Sequence, residues 1–176
     1  SEGYRKIRNT FKFLLGNLNG FDPAKEKLPT EKLLEVDRWA LSKLEWLKEE
    51  IHAAYESYQL HRVYHAVYNF CVREMSSFYL DVLKDRLYTD SKKSVSGRSA
   101  RTTLYEILTA LTRMLAPALS FTCEEVWEGL GFAQSAQAAG RKVWRSPRVL
   151  PWSTWLREQW LELRSRADGN ACSRLD

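Results

Sequence analysis

The sequence predicts an all-α protein, a helical bundle of about five helices. Three observations indicate this class. Apolar residues recur every three or four positions in four separate segments, as one face of an α-helix requires. The longest of these segments, Leu60 to Tyr88, contains neither glycine nor proline. Short stretches rich in Asn, Gly, Pro, Ser and Lys separate the segments, and such stretches are typical of the connections in a bundle.

The chain divides into two regions of different composition. Residues 1–131 hold the periodic segments and are predicted to form the bundle. Residues 132–176 form a C-terminal segment rich in Trp and Arg, in which only Trp155 to Arg166 has a helical pattern. We expect the Trp rings of this segment to be buried on the bundle or on a partner.

The stretch from Leu60 to Tyr88 is predicted to be one long helix at the centre of the bundle. At about 1.5 Å per residue it would run roughly 40 Å. Its principal apolar stripe consists of Leu60, Tyr64, Val67, Cys71, Met75, Phe78 and Val82. The residues that widen this stripe are Val63, Phe70, Tyr79 and Leu83. So wide an apolar face favours a helix with partners on two sides.

Two amphipathic helices are predicted before this long helix. The first runs from Ser1 to about Leu18 and ends at the Asn and Gly residues of Asn17 to Gly20. The second runs from about Glu31 to Tyr58, with Thr30 as its cap. The join at Ser57 to His61 is short, which predicts that the second helix and the long helix are antiparallel neighbours.

Two further helices are predicted after the long helix. The segment Thr89 to Ala100 is predicted to be a loop. It contains the cations Lys92, Lys93 and Arg98, and a fourth cation, Arg101, follows it directly. The fourth helix ends at Ala116–Pro117, because proline cannot continue the hydrogen-bond ladder. Thr122 and Glu125 have capping-box spacing at the start of a fifth helix, Cys123 to Leu130.

Composition limits the classes of function. Hydrophobic residues make up 44% of the 176 residues and charged residues 28%, which is typical of a globular protein and argues against disorder over most of the length. The formal net charge of +5 is compatible with a phosphate-rich partner, but many basic domains bind no nucleic acid. No segment approaches the ~18 apolar residues of a membrane span, so a cytoplasmic location is expected.

Catalytic and metal-binding patterns are absent from the sequence. It contains no glycine-rich phosphate loop, no nucleophile elbow and no paired Cys/His spacing for zinc. His61 and His65 lie four residues apart without an evident third ligand, so they are interpreted as solvated side chains. Cys71 lies on the apolar stripe and is interpreted as a buried hydrophobe. No residue is therefore assigned a catalytic or metal-binding role.

One group of polar residues is a candidate for binding RNA. It lies at the end of the long helix, where Lys84, Arg86 and Tyr88 replace the apolar pattern. The outer face of the first helix carries Arg5, Arg8, Asn9 and Lys12, with Lys6 beside them. Cations hold phosphates and an exposed ring stacks on an unpaired base, although such a cluster is often only solvated. The remaining aromatic residues of the long helix, Tyr64, Tyr68, Phe78 and Tyr79, are expected to be core.

Long stretches of the chain resemble the anticodon-binding domain of the isoleucyl-tRNA synthetase family. They are YRKIRNTFKFLLGNLNGFDP from Tyr4, DRWALSKLEWL from Asp37, YNFCVREMSSFYLDVLKDRLY from Tyr68 and LYEILTALTRMLAPALSFTCEEVWEGL from Leu104. The resemblance covers roughly Ser1 to Leu130. Valyl- and leucyl-tRNA synthetases share the DRW helix and the final Pro-then-E-E-x-W pattern but are less similar to the first and third stretches.

The resemblance implies the helical bundle of a class Ia synthetase, which holds the anticodon stem and loop of isoleucine tRNA. Isoleucine activation, editing and the binding of ATP with Mg²⁺ would belong to the catalytic and editing domains of the parent chain, with no cofactor in this fragment. A monomer is expected. Arg5, Lys6, Arg8 and Asn9 are then predicted to contact the tRNA backbone, and Lys84, Arg86 and Tyr88 the anticodon end.

Alternatives remain open at this level. Asp85 is expected to orient Arg86, since an acid that faced phosphate would be repelled. Arg8 and Asn9 could instead join the first helix to the long helix through buried hydrogen bonds. The domain could belong to a valyl- or leucyl-tRNA synthetase. A helical module that binds protein through its Trp-rich segment is the rival of a different class.

Overall fold

The computed structural model describes residues 2–91 and 94–131, and within those ranges the chain is helical with no strand. The helices are α1 Glu2–Asn17, α2 Pro23–Glu26, α3 Glu35–Glu56, α4 Leu60–Asn69, α5 Leu80–Thr89, α6 Val95–Leu115 and α7 Ser120–Gly129. A π-helical segment, Phe70–Tyr79, joins α4 to α5, and a 3₁₀ turn, Thr30–Lys32, precedes α3. The predicted all-α bundle is confirmed, because each of the five predicted helices has a counterpart.

The helix α4, the π segment and α5 form one continuous central rod. The residues at both joins, Asn69 and Tyr79, keep helical backbone angles. The prediction of a single long helix over Leu60 to Tyr88 is therefore confirmed. Within the π segment the hydroxyls of Ser76 and Ser77 donate to carbonyls five residues back, those of Cys71 and Val72, both at 2.8 Å.

The π segment changes which side chains of the rod are buried. After Met75 the buried residues of the rod are Tyr79, Leu80 and Leu83, whereas Phe78 and Val82 are 47% and 42% exposed. The prediction that Phe78 and Val82 belong to the core stripe is wrong, because it assumed α-helical register. A π-helical turn holds more residues than an α-helical turn, so it rotates the apolar face toward Tyr79.

Helices α1, α3 and α6 and the central rod surround one hydrophobic core. The starts of α3 and α6 meet, since the backbone N–H of Leu34 donates to the Ser99 hydroxyl at 3.0 Å. Their ends meet too, where the Tyr55 hydroxyl donates to the Met114 carbonyl at 2.8 Å. Thus α3 and α6 run parallel, and the rod runs antiparallel to both because Arg86, near its end, reaches Ser96 at the start of α6.

Helix α1 completes the bundle beside the rod and α7. Gly3 approaches the Tyr64 ring so closely that a Cβ atom at this position would overlap the hydroxyl. Further along, Lys6 lies over the Tyr68 ring, so α1 runs parallel to the rod. The Tyr4 and Thr122 hydroxyls share a hydrogen bond of 2.9 Å, which joins α1 to α7.

Three predicted helix starts are corrected. Helix α3 begins at Glu35 rather than Glu31 with no side-chain cap, because the preceding residues bury Leu28 and Leu33 instead. Helix α6 begins at Val95, inside the predicted loop, where the Ser94 hydroxyl accepts the N–H of Gly97 at 2.9 Å.

The predicted capping box at the start of α7 is also wrong. The helix begins at Ser120, two residues before Thr122, with no side-chain cap. The Thr122 hydroxyl is instead engaged with Tyr4. The hydroxyl group that the local pattern assigned to a helix cap makes a tertiary hydrogen bond instead.

Two of the cations assigned to the loop, Arg98 and Arg101, are engaged with backbone carbonyls. Arg101 is 4% exposed, and its Nη2 donates to the Asn19 carbonyl at 3.0 Å. Arg98 donates to the Glu26 carbonyl at 3.1 Å. Both side chains hold the α2 region against α6. Lys92 and Lys93 lie outside the described residues, as do the predicted helix at Trp155 to Arg166 and the rest of residues 132–176.

Candidate nucleic-acid interface

A cationic stripe runs along the outer face of α1. It consists of the cations Arg5, Arg8 and Lys12, spaced three and four residues apart, with the neutral Asn9 next to Arg8, and all four side chains are exposed. Arg8 forms an ion pair with Glu125 of α7 at 3.6 Å, with both side chains more than half exposed. Exposed pairs of this kind contribute little, about 0–1 kcal/mol, so a phosphate can replace the carboxylate.

Lys6 lies beside this stripe and remains charged. Its ammonium group is 3.3 Å from a carboxylate oxygen of Glu2 and 5.9 Å from the centroid of the Tyr68 ring. The hydrogen bond with Glu2, followed by the attraction of Tyr68, raises the pKa of Lys6 above its usual value. Neither Arg8 nor Asn9 makes a buried hydrogen bond to the rod within the described ranges, so the alternative role of joining these helices is not supported.

The second predicted group lies at the end of α5. Tyr88 is 75% exposed, and Lys84 is exposed one turn before it on the same face. The ammonium of Lys84 is 3.0 Å from the carboxylate of Asp81, and both side chains are more than half exposed. Lys84 and Tyr88 therefore face solvent together, as a cation and a ring that bind unpaired RNA should.

Arg86 does not belong to that exposed group. Its side chain is 15% exposed, and its guanidinium is directed into the bundle, where it donates to both carboxylate oxygens of Asp37 at 3.0 and 2.8 Å. It also donates to the hydroxyl and the carbonyl of Ser96 at 3.0 and 2.9 Å. A phosphate contact would require breaking these bonds, so Arg86 is part of the scaffold. Asp37, and not Asp85 as predicted, orients it.

Asp37 is the centre of a buried polar network that the sequence analysis missed. Besides Arg86, it accepts the Tyr79 hydroxyl at 2.7 Å and the Ser99 hydroxyl, while its own side chain is fully buried. Burial, then the proximity of Asp37, raises the pKa of Tyr79 well above its usual value, so the phenol remains a donor. For Arg86, burial acts to lower the pKa, but the bonds to Asp37 outweigh it and the pKa is raised.

A signal for this network was present in the spacing. Asp37 lies three residues before Ala40 and seven before Leu44, on the stripe that the structure buries. An acid on an apolar stripe needs a buried partner. The partner could not be identified from spacing alone, because Arg86 comes 49 residues later in the chain.

The two exposed groups lie toward opposite ends of the bundle. Lys6 sits over Tyr68, whereas Tyr88 lies twenty residues further along the rod. For Lys6 and Tyr88 this separation corresponds to roughly 30 Å at helical rise, and Lys12 lies about 9 Å closer to Tyr88 because α1 runs parallel to the rod. The structure thus keeps the predicted residues in two places, an α1 stripe and an α5 end, and a ligand that touched both would have to be elongated.

Two concave surfaces are formed by other elements, and one of them includes Lys12 of the α1 stripe in its lining. A cleft of about 520 Å³ opens where α1, α7 and the Tyr105 side chain of α6 meet. A shallow apolar groove of about 690 Å³ lies between the start of α3 and the π segment, and its lining includes Leu34, Trp39 and Phe78. The Trp39 and Phe78 rings pack edge to face there at 4.9 Å.

Other kinds of site find no support in the part of the chain that the structure describes. No group of three or more His, Cys, Asp or Glu side chains is placed to hold a metal ion among those residues. Helices there are too short or too polar to cross a membrane. His61 and His65 are both exposed. Burial raises the pKa of Cys71 to about 12, so this thiol is unreactive at neutral pH.

Comparison with known proteins identifies the class to which this helical bundle belongs. The family model for the anticodon-binding domain of tRNA ligase matches residues 37–166. The chain therefore belongs to that family of RNA-binding helical domains. The match begins at the DRW stretch and continues past residue 131 into the C-terminal segment.

Several curated relatives of the chain are isoleucine–tRNA ligases. The ligase of Syntrophotalea carbinolica is 58% identical over 127 residues, which is 72% of this chain and 14% of the relative. That of Halorhodospira halophila is 54% identical over the same shares of the two chains. The ligase of Petrotoga mobilis is 44% identical over 159 residues, or 90% of this chain and 17% of the relative. The chain spans about one seventh of the length of the first two relatives.

Proposed function

We propose that this chain is the anticodon-binding domain of an isoleucine–tRNA ligase and that it holds the anticodon stem and loop of isoleucine tRNA. The observation that carries the proposal is the exposed cationic stripe on α1, formed by Arg5, Arg8, Asn9 and Lys12, in a domain of this family. Cations on one face of a rigid helix suit the regularly spaced phosphates of an RNA backbone. The named relatives support isoleucine over valine or leucine.

The chemistry of the proposed parent enzyme is assigned to its other parts. The parent would activate isoleucine with ATP and Mg²⁺, transfer it to tRNA and edit errors in its catalytic and editing domains. This domain would supply grip and part of the identity check. We further propose that the parent acts in the cytoplasm as a monomer.

The test is the binding of the chain to an isoleucine tRNA transcript and to one with altered anticodon bases, measured by fluorescence anisotropy at two salt concentrations. We expect tighter binding to the intact anticodon and weaker binding at higher salt. Arg5→Ala should flatten the slope of log affinity against log salt by about one, because one phosphate contact is lost. Lys43→Ala, which removes an equal charge on α3, should leave the slope unchanged.

Other results would point elsewhere. Equal binding to both transcripts would mean that the chain binds the RNA backbone without recognising the anticodon bases. The apolar groove at Leu34, Trp39 and Phe78 favours the rival interpretation, a protein-interaction module. If low salt gave no RNA binding and the chain bound a protein through this groove independently of salt, the rival would replace the proposal.

A further inference from the structure

We propose that the cleft between α1, α7 and Tyr105 binds one unpaired base of the RNA, with Lys12 on the adjoining phosphate. This inference rests on the proposed function and names a subsite within it. None of the predicted RNA-binding residues lines this cleft. Tyr105 and Phe21 come from segments that were predicted to be core and turn.

The cleft has the size and lining of a ligand site. Its volume of about 520 Å³ lies within the roughly 300–1,000 Å³ typical of small-ligand pockets. Leu15 and Phe21 contribute apolar walls, Tyr105 contributes a second ring, and Lys12 lies among the lining residues. Aromatic walls with a single cation are the elements from which proteins build sites for splayed nucleotides.

The two rings are held in place from behind. The centroids of Phe21 and Tyr105 are 5.8 Å apart with their planes at 52°. On the buried side the guanidinium of Arg101 lies 5.1 Å from the Phe21 centroid, and its Nη2 also holds the Asn19 carbonyl. The aromatic wall is thus fixed before any ligand arrives, which reduces the entropy lost on binding.

Glycines shape the opening of the cleft. A Cβ atom at Gly129 would come within 2.8 Å of the Leu15 side chain, so glycine lets the end of α7 pack closely against α1. At Gly16 a Cβ atom would meet nothing within 4 Å, which means that the rim of the cleft is open at this point. A flat group can therefore enter between backbone segments.

Charge selects RNA over an apolar peptide as the occupant. The stripe of Arg5, Arg8 and Asn9 continues along α1 to Lys12 at the cleft, and all four side chains are exposed. A strand whose phosphates follow this stripe would bring its next base to the rings. An apolar peptide would offer Lys12 no anionic partner, whereas a nucleotide satisfies both this cation and the aromatic wall.

The experiment uses the full chain and a fluorescent stem-loop with the anticodon arm of isoleucine tRNA. Each loop nucleotide is replaced in turn by an abasic one, and every RNA is titrated against wild type, Tyr105→Ala, Gly16→Leu and Lys43→Ala. In wild type one loop position should cost about tenfold in affinity when abasic, as expected for one stacked base. Tyr105→Ala should lower affinity for the intact loop by a similar factor, and the abasic change should then cost nothing more.

Gly16→Leu is a second variant, which distinguishes loss of base binding in the cleft from a purely structural effect of Tyr105→Ala. It removes no packing, adds a side chain at the open rim and replaces glycine within a helix by a better helix former. We expect it to abolish the same abasic penalty, while Lys43→Ala retains that penalty. Unchanged abasic penalties at every position in both Tyr105→Ala and Gly16→Leu would overturn the cleft proposal. Failure of wild type to bind any stem-loop would instead overturn the proposed function.

Discussion

At the scale of single residues, the main finding is that Arg86 and Asp37 form a buried pair with two direct hydrogen bonds. The pair lies where α3, α5 and α6 meet, and Tyr79 and Ser99 satisfy the remaining capacity of the carboxylate. Burying two charges is costly unless each is fully hydrogen-bonded, as they are here. This pair fixes the end of the rod from which Lys84 and Tyr88 project.

Asp37→Ala should therefore be strongly destabilising. It leaves the largely buried Arg86 guanidinium without its counterion, and we expect a loss of about 3 kcal/mol in the free energy of unfolding. Urea denaturation followed by circular dichroism measures this. Glu35→Ala is the matched control, because Glu35 is an exposed acid in the same first turn. Equal stability of the two variants would show that the pair contributes nothing.

Two buried thiols make the free energy of unfolding depend on pH in the alkaline range. Burial raises the pKa of Cys71 and of Cys123 to about 12, from an ordinary 9.0 in the unfolded chain. Because the folded pKa is the higher one, the stabilisation is complete below pH 9.0 and is lost as pH rises toward about 12.

We thus expect the free energy of unfolding to fall above pH 9.0, by at most about 1.4 kcal/mol per pH unit for each such group. Cys71→Ala lowers stability at all pH values but removes one ionising group. Urea denaturation from about pH 7 to pH 10 should show a shallower decline for this variant. A decline as steep as in wild type would mean that Cys71 ionises equally in both states.

At the scale of elements, the π segment decides the register of the rod. The turns from Phe70 to Tyr79 place Met75 and Tyr79 in the core and turn Phe78 outward. The same rotation brings Arg86 to Asp37, since everything after the segment follows its phase. A purely α-helical rod would present a different face to α3 and α6.

The register predicts an order of mutational cost. Met75→Ala removes a fully buried side chain and should cost about 3 kcal/mol. Phe78→Ala removes a half-exposed ring, and we expect about 1 kcal/mol, mainly from the lost contact with Trp39. Thermal or urea denaturation of both variants measures the order. The predicted α-helical register buries both side chains, so it would give losses of similar size.

At the scale of the whole molecule, the exposed cations of α1 and of α5 lie toward opposite ends of a rigid bundle. Tertiary contacts hold the two ends in a fixed relation, from Tyr4–Thr122 near one end to Arg86–Asp37 near the other. If an elongated RNA touched both ends, the two groups of contacts would each contribute to its binding free energy without interacting directly. Residues this far apart, without shared partners, normally contribute additively.

A double variant tests this arrangement. If one RNA spans both ends, Arg5→Ala and Lys84→Ala should each weaken binding, and the double variant should lose the sum of the two free energies within about 0.5 kcal/mol. Its salt slope should fall by about two. Anisotropy titrations of the four proteins at several salt concentrations provide the data. No loss for Lys84→Ala would restrict the interface to α1.

Sequence reasoning reached the helical bundle because apolar periodicity is a local property. The stripes of α1, α3 and α6 and the length of the rod all follow from spacing. Helix starts were less accurate, since Leu33, Ser99 and Thr122 make tertiary contacts that no local pattern encodes. The exposed α1 stripe was predicted correctly as a surface because its charges lie opposite its apolar face.

The sequence by itself determined the class of fold, the family resemblance and the basic face of α1, since these depend on residue order and periodicity. Only the tertiary structure decided which cations are free to meet a ligand. Arg86 and Tyr88 are two residues apart, yet one is directed into the bundle and the other into solvent. The difference arises because the buried carboxylate of Asp37 lies 49 residues away in sequence and comes within hydrogen-bonding distance only when the helices pack.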